Sequence, residues 1–199
     1  GVSVTAEVTP HHLTLTEERI MGESPNKFFD TNAKVNPPLR TKEDIQALVK
    51  GLRDGVIDVI ATDHAPHTLA DKNCGPEQAS FGISGLETAF GCLMTLVHQR
   101  EMSLTQLISK LTCEPAKVIG KYGELGTLKT GAPANVTILD PDHQWIVNSR
   151  NFASKGKNTP YDGYQFKGRI MATMANGKIV YIDDSLLSHI LSLEGRGLR

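Results

Sequence analysis

Residues 59–67 read Val59-Ile60-Ala61-Thr62-Asp63-His64-Ala65-Pro66-His67, and this stretch decides how the rest of the chain is interpreted. A run of mainly β-branched, apolar residues ends in a carboxylate, and two imidazoles follow it closely. An α/β barrel presents its catalytic side chains in this way, at the C-terminal ends of its strands. Asp can bind a metal ion or transfer a proton, and His is the side chain that titrates nearest neutral pH. The stretch therefore indicates a catalytic site, although an Asp that caps a turn, with His64 and His67 in a loop, would give the same residues.

The composition is that of a globular protein of 199 residues. Hydrophobic residues make up 39% and charged residues 22% of the chain, which excludes a largely disordered protein. The net charge of −1 gives no general affinity for nucleic acid, and no apolar run approaches the roughly 20 residues of a membrane span. The three cysteines have no CxxC spacing, so the sequence predicts neither disulfides nor a cysteine zinc site. We therefore expect a cytoplasmic protein that binds neither nucleic acid nor membranes.

Helical and strand patterns alternate in residues 1–120, which predicts an α/β fold. The pattern Thr41-Lys42-Glu43-Asp44 resembles a capping box and opens a helix that Gly55 ends. Near-continuous apolar strands between helices indicate a parallel sheet that is covered on both sides. The predicted elements are strands at 2–8 and 56–62 and helices that begin after capping patterns at 41–44, 84–87 and 103–106.

The character of the sequence changes near residue 121. Glycines and Pro133 interrupt a region with little helical periodicity, and Asn176-Gly177 is a strong signal for a two-residue hairpin turn. We therefore divide the chain into strand–helix units of a barrel at 1–120 and a small β-rich module with a terminal helix at 121–199. The predicted elements of this module are strands at 134–139, 144–148, 168–175 and 178–182 and a helix at 185–193.

Several motifs follow one another along the chain. They are Glu7-Val8-Thr9-Pro10-His11-His12-Leu13, Asn32-Ala33-Lys34-Val35-Asn36-Pro37-Pro38-Leu39-Arg40, Ala61-Thr62-Asp63-His64-Ala65-Pro66-His67, Phe81-Gly82-Ile83-Ser84-Gly85-Leu86-Glu87-Thr88 and Gly131-Ala132-Pro133-Ala134-Asn135-Val136. Together they resemble dihydroorotase of the bacterial, long-chain type, in the amidohydrolase superfamily. The resemblance implies the C-terminal part of a metal-dependent (β/α)8 barrel, followed by a small β-sandwich built from both chain ends. It also implies a cyclic amide hydrolase that reversibly closes N-carbamoyl-L-aspartate to L-dihydroorotate in pyrimidine (UMP) biosynthesis.

The resemblance assigns roles to five residues. Asp63 matches the Asp of the final barrel strand and would be a metal ligand and the group that moves the proton. His67 would contact the substrate carboxylate, Asn36 would contact the ring, and main-chain groups of Phe81 and Gly82 would line the site. The implied cofactor is zinc, with one or two ions in the complete enzyme. Such ions would supply hydroxide at neutral pH, and Asp63 would accept its proton.

The remaining metal ligands of the resembled family cannot be placed in this chain. The family supplies them as a His-x-His pair, a bridging carboxylate or carboxylated Lys, and two further His, whereas this chain has seven His and no His-x-His. A complete barrel also needs about 250 residues, and the chain enters a strand pattern directly after Gly1. We therefore expect a partial enzyme that is inactive in isolation, with the N-terminal half of the barrel as a partner.

Three interpretations remain open. The first is dihydroorotase, with a small-molecule substrate and either a homo-oligomeric state or a complex with aspartate carbamoyltransferase. The second is a sibling cyclic amidase such as hydantoinase or allantoinase. The third is a non-catalytic, dihydroorotase-like scaffold subunit for aspartate carbamoyltransferase. The presence of Asp63, Asn36 and His67 argues against the third, because an inactive subunit has no chemical need for them.

Overall fold

The computed structural model describes residues 1–21 and 29–194. Short strands and helices alternate in the first part of the chain, and an antiparallel sheet follows. The strands are β1 (Glu7–Val8), β2 (Val59–Ile60), β3 (Val136–Ile146), β4 (Gln165–Ala175) and β5 (Lys178–Ile182). The helices are α1 (Pro10–Thr14), α2 (Lys42–Asp54), α3 (Leu69–Lys72), α4 (Leu86–His98), α5 (Leu104–Leu111), α6 (Cys113–Val118) and α7 (Asp184–Glu194), with 3-10 turns at Glu17–Met21, Thr31–Ala33 and Ser149–Asn151. None of the helices in these two ranges is long and apolar enough to cross a membrane.

The strands β1 and β2 are parallel neighbours. Glu7 lies opposite Val59 and Val8 lies opposite Ile60. Parallel strands require a crossover connection, and α1 and α2 lie on the one between them. Both strands are shorter than the predicted 2–8 and 56–62, because in the described part of the chain each strand has a partner along one edge only. This parallel, helix-connected arrangement is consistent with part of a (β/α)8 barrel.

Two of the three predicted capping boxes are confirmed. Thr41 and Asp44 exchange side-chain and backbone hydrogen bonds at the start of α2, and Ser103 and Gln106 do so at the start of α5. The third prediction is wrong, because the first turn of α4 receives no hydrogen bond from its N-cap side chain. Ser84 instead donates its hydroxyl to the carbonyl of Gly156, which draws it away from the helix end.

The β-rich module contains one antiparallel sheet in the order β3, β4, β5. The strands predicted at 134–139 and 144–148 form the single strand β3, because irregular pairing after Ile138 and after Asp140 lets it bend without ending. The predicted hairpin between β4 and β5 is confirmed by the left-handed backbone of Asn176 and Gly177, with φ of 48° and 78°. The described residues therefore show one sheet of the module, and they do not show the second sheet of a sandwich.

Helix α4 lies at the centre of the fold. It packs against α1 and α5 and also against β4, so it joins the barrel part to the sheet. Its residues Leu93 and Met94 are fully buried. Gly91 faces the rings of Trp145 and Phe166, and a Cβ there would lie 2.9 Å and 3.0 Å from their nearest atoms. The helix therefore fixes where the sheet lies relative to the end of β2.

Candidate functional site

Asp63 lies three residues beyond the end of β2. Its backbone has a φ of 47°, in the left-handed region, which Asp and Asn tolerate better than most side chains. Its side chain is exposed. The next residues pair with the chain that leads into α4, because His64 forms a bridge with Ile83 and the N–H of Ala65 donates to the Ile83 carbonyl at 2.9 Å. Asp63 is thereby held at the C-terminal end of β2, the position where barrel enzymes place catalytic groups.

His64 closes the N-terminal end of α4. Its Nδ1 accepts hydrogen bonds from the N–H groups of Gly85 and Leu86 at 3.1 Å and 3.2 Å. Because Nδ1 accepts, Nε2 carries the proton and donates to Ser154 Oγ at 3.3 Å. The hydroxyl of Ser154 then donates to Glu87 Oε1 at 2.7 Å. His64 therefore caps α4, a role that the sequence pattern assigned to residues 84–87. Its side chain is bonded to the start of this helix and is not a free loop side chain.

His67 connects two loops. Its main-chain N–H donates to Asn158 Oδ1 at 2.7 Å, and its Nε2 donates to the carbonyl of Phe81 at 2.8 Å. A carbonyl can only accept, so Nε2 is protonated and Nδ1 is the ring nitrogen left to face a ligand. A donation from Nδ1 to a substrate carboxylate would require the doubly protonated, cationic imidazole. The structure therefore brings His67 and Phe81 into direct contact.

Gly82 occupies a position that no other residue fits. Its φ is 129°, and a Cβ would lie 2.4 Å from the Cβ of Ala65. Its N–H donates to the carbonyl of Lys34 at 2.9 Å, and its carbonyl accepts from Lys72 Nζ and Asn158 Nδ2, both at 3.0 Å. Both main-chain groups of Gly82 are thus bonded within the chain, so its part in a site is to shape the wall.

Phe81, which precedes Gly82, is 54% exposed, and Lys34 Nζ lies 4.3 Å from the centroid of its ring. The ammonium of Lys34 also donates to the carbonyl of Ala79 at 2.6 Å. On the other side of this loop Lys72 is buried, and burial, reinforced by the charge of Lys34, lowers its pKa to about 8. Two lysines therefore hold the loop that carries Phe81 through its carbonyl groups.

Asn36 lies in an exposed turn between the buried residues Val35 and Leu39. The Asn36–Pro37 peptide bond is cis. The carbonyl of Pro37 accepts from His12 Nε2 at 2.8 Å. Since Gly82 is bonded to Lys34, two residues before Asn36, the turn lies beside the Phe81–Gly82 loop.

His11 differs from its neighbour His12 because it is only 2% exposed. Its Nε2 has no hydrogen-bond partner among the described residues. Burial, and to a smaller extent the charge of His12, lowers the pKa of His11 to about 3. His11 is therefore a neutral, packed side chain at neutral pH.

Hydrogen bonds join the segments that carry the five predicted site residues. The Asn36 turn is tied to Gly82, Phe81 is tied to His67, and Asp63 is tied to this group through its neighbours His64 and Ala65. Within the described ranges, these bonds connect the segments and do not link the Asp63 and Asn36 side chains to each other. The sequence interpretation missed Asn158, which lies 91 residues from His67 and belongs to no recognisable local pattern.

A metal site needs more ligands than this cluster contains. Among the residues that the structure describes, no group of three or more His, Cys, Asp and Glu side chains could hold an ion. The exposed carboxylate of Asp63 could contribute one ligand, but hard and borderline metals in proteins usually have at least three. The described residues therefore supply one candidate metal ligand, Asp63, and not a complete metal site.

A family model and the similarity to named proteins indicate the same family. The model of the amidohydrolase family matches residues 2–180. The chain is 48% identical over 184 residues to a dihydroorotase from Syntrophus aciditrophicus, covering 92% of this chain and 41% of that protein. It is 50% identical over 188 residues to a dihydroorotase from Bacillus cytotoxicus, covering 94% of this chain and 42% of the relative. The chain thus spans about two-fifths of the length of these relatives.

Solved structures with a similar fold include proteins named hydantoinase and dihydropyrimidinase. The L-hydantoinase from Arthrobacter aurescens superposes with a TM-score of 0.80 and is 32% identical, over 90% of this chain and 39% of that one. The dihydropyrimidinase from Brevibacillus agri superposes with a TM-score of 0.81 at 23% identity, over the same shares of the two chains, and shows the fold alone. Strand order, the residues at the end of β2 and the family match agree, and the chain belongs to the amidohydrolase family.

Proposed function

We propose that this chain is the C-terminal part of a zinc-dependent dihydroorotase that interconverts N-carbamoyl-L-aspartate and L-dihydroorotate in pyrimidine biosynthesis. The observation that carries the proposal is the 2.8 Å hydrogen bond from His67 to the carbonyl of Phe81. The bond holds the imidazole of His67, which can bind an anion, against the Phe81–Gly82 loop. Both lie next to the C-terminal end of β2, which Asp63 follows. The similarity to proteins named dihydroorotase supports this substrate over other cyclic amides.

Three of the five site residues have a direct task in this reaction. Asp63 takes up a proton from the attacking group and returns it to the ring nitrogen that leaves, and its exposed carboxylate is accessible for both steps. His67 binds the substrate carboxylate through Nδ1, since Nε2 is engaged by Phe81. Asn36 meets the polar edge of the ring. When bound, zinc supplies hydroxide at neutral pH, with Asp63 as one ligand and the others from residues outside this chain.

The proposed function includes the rest of the barrel and its surroundings. Residues 1–120 form the last strand–helix units of the barrel, and residues 121–199 form the module beside it. A second sheet from outside this chain covers the exposed Ile179 and Val180 of β5 and completes a β-sandwich. The free thiols Cys74, Cys92 and Cys113 suit a reducing, cytoplasmic compartment. The complete enzyme acts as a homo-oligomer or together with aspartate carbamoyltransferase.

The test is turnover by the complete enzyme and its Asp63→Asn variant. The variant keeps the shape of the side chain but cannot take up a proton, so we expect kcat to fall by roughly 10³-fold. Asp54→Asn is the matched control, because Asp54 is an exposed carboxylate at the end of α2 whose pairing with Lys50 is worth little. Near-normal turnover of L-dihydroorotate by Asp63→Asn would remove Asp63 from the mechanism.

The second candidate function is hydrolysis of hydantoins or dihydropyrimidines. It is favoured by the structural similarity to L-hydantoinase at 32% identity. A substrate panel of dihydroorotate, hydantoin, allantoin and dihydrouracil separates the two candidates. A kcat/KM higher for hydantoin than for dihydroorotate would establish the second.

A further inference from the structure

Residues 154–158 lie between β3 and β4 and contact the loops of the candidate site. Asn158 is only 4% exposed, and all four of its side-chain hydrogen-bonding positions are occupied. Its Oδ1 accepts from the N–H of His67 at 2.7 Å and from Ser84 Oγ at 2.9 Å. Its Nδ2 donates to the carbonyls of Ala65 and Gly82, each at 3.0 Å. One buried amide thus holds both loops of the site by their backbones.

The surrounding contacts make this crossing a tight one. A Cβ on Gly156 would lie 2.6 Å from the His67 nitrogen and 2.8 Å from the His67 carbonyl oxygen, so the two backbones touch directly. Ser84 bonds to this segment at two points. Its N–H donates to the Asn158 carbonyl at 2.7 Å, and its single hydroxyl proton is shared between the Gly156 carbonyl and Asn158 Oδ1. At the other end of the segment Ser154 binds His64.

We propose that Asn158 is a positioning residue that sets the separation of His67 from the Phe81–Gly82 loop, and hence how tightly the site binds an anionic cyclic amide. The inference rests on the proposed function of these loops. Asn158 bonds directly to the backbones of His67 and Gly82, whereas it reaches Asp63 only through Ala65, two residues further along the chain. Its loss therefore weakens substrate binding more than it slows the chemical step.

The isosteric variant Asn158→Asp isolates this role. A carboxylate keeps the two accepted bonds but places an oxygen against the carbonyls of Ala65 and Gly82, where the amide donated. Buried acceptors that face each other repel and lose their partners, so the two loops move apart. Asn148→Asp is the matched control, because Asn148 is exposed and its Oδ1 accepts from the N–H of Arg150, a bond that Asp accepts equally well.

The experiment measures KM, kcat, bound metal and thermal stability of the complete enzyme with L-dihydroorotate. For Asn158→Asp we expect KM to rise about tenfold or more, with kcat within about threefold of the unmodified enzyme and unchanged metal content. Asn148→Asp should match the unmodified enzyme in all four. A folded Asn158→Asp enzyme with unchanged KM, or one that loses kcat at constant KM, overturns the proposal.

A milder variant keeps the proposal testable if Asn158→Asp does not fold. Ser84→Ala removes the hydroxyl that is shared between Asn158 Oδ1 and the Gly156 carbonyl, without adding charge, and we expect about a threefold rise in KM. An unchanged KM in this folded variant then overturns the positioning role. If the unmodified enzyme does not turn over dihydroorotate, the proposed function fails, and the same KM comparison with the cyclic amide that it does hydrolyse decides the role of Asn158 separately.

Discussion

The contact between α4 and the sheet makes a quantitative prediction about a single methyl group. Gly91→Ala places a Cβ 2.9 Å from Trp145, closer than real Cβ atoms approach, and 3.0 Å and 3.2 Å from two atoms of Phe166, which is tighter than most Cβ contacts. Overpacking of this kind costs about 1–3 kcal/mol. Replacing a glycine in a helix interior by alanine has the opposite effect and raises the free energy of unfolding by about 0.5–1 kcal/mol. At the midpoints of these two ranges the free energy of unfolding falls by about 1 kcal/mol, and at most by about 2.5 kcal/mol.

The same substitution elsewhere provides the control. Gly51 lies within the 13-residue helix α2, and a Cβ there would meet nothing closer than Ile57 at 3.4 Å, an ordinary contact. Gly51→Ala should therefore raise the free energy of unfolding by about 0.5–1 kcal/mol. Urea denaturation of the complete protein, followed by far-UV circular dichroism, compares both variants with the unmodified protein. If Gly91→Ala raises the free energy of unfolding as much as Gly51→Ala does, the close packing of α4 on Trp145 and Phe166 is refuted.

Two further predictions concern histidines. His67→Gln retains a donor for the Phe81 carbonyl but not the imidazolium charge, so KM for dihydroorotate should rise about tenfold; steady-state kinetics at neutral pH with an unchanged KM would show that no charge is used there. His11 stays neutral in the fold down to about pH 3, whereas in the unfolded chain it takes up a proton below its ordinary pKa of 6.5. Its contribution to stability is therefore lost as pH falls from about 6.5 towards 3, by at most about 5 kcal/mol. Urea denaturation at a series of pH values should show a shallower acid loss for His11→Phe, and equal slopes would contradict the burial argument.

The sequence predicted the elements whose signals are local. The capping boxes at Thr41 and Ser103, the end of α2 at Gly55 and the Asn176-Gly177 hairpin each depend on a few adjacent residues, and all are confirmed. Strand lengths were overestimated at 2–8 and 56–62, because pattern shows where a strand could form while pairing depends on the neighbouring strand. The capping box at Ser84 failed because a residue 72 positions away competes for its hydroxyl.

The candidate site follows the same division. Asp63, His67 and Gly82 stand in short motifs that the sequence displays, so they could be proposed before any coordinates. The hydrogen bonds that hold these residues in place could not be proposed from the sequence. The bond from His67 to Asn158, for example, spans 91 residues and leaves no periodic pattern. Lys72 is a second case, since a lysine in a polar stretch of sequence predicts an exposed side chain, whereas the fold buries it and its ammonium donates to the carbonyls of Ser80 and Gly82.

The motifs of the site and the residues that hold its loops together lie in different parts of the chain. Every recognisable motif of the site lies before residue 90, yet the His67 loop and the Gly82 loop are held together by residues 154–158, which reach them only when the sheet module packs on α4. The binding loops therefore reach their final positions only when the module is folded. A chain that ends near residue 120 would keep the motifs but lose the four hydrogen bonds of the Asn158 side chain. Because a buried polar group left without its partner costs about 1–3 kcal/mol, the carbonyl of Ala65 would turn towards water in such a chain, whereas the carbonyl of Gly82 would keep its bond from Lys72. The module is thus a structural part of the site and not an appendage to it.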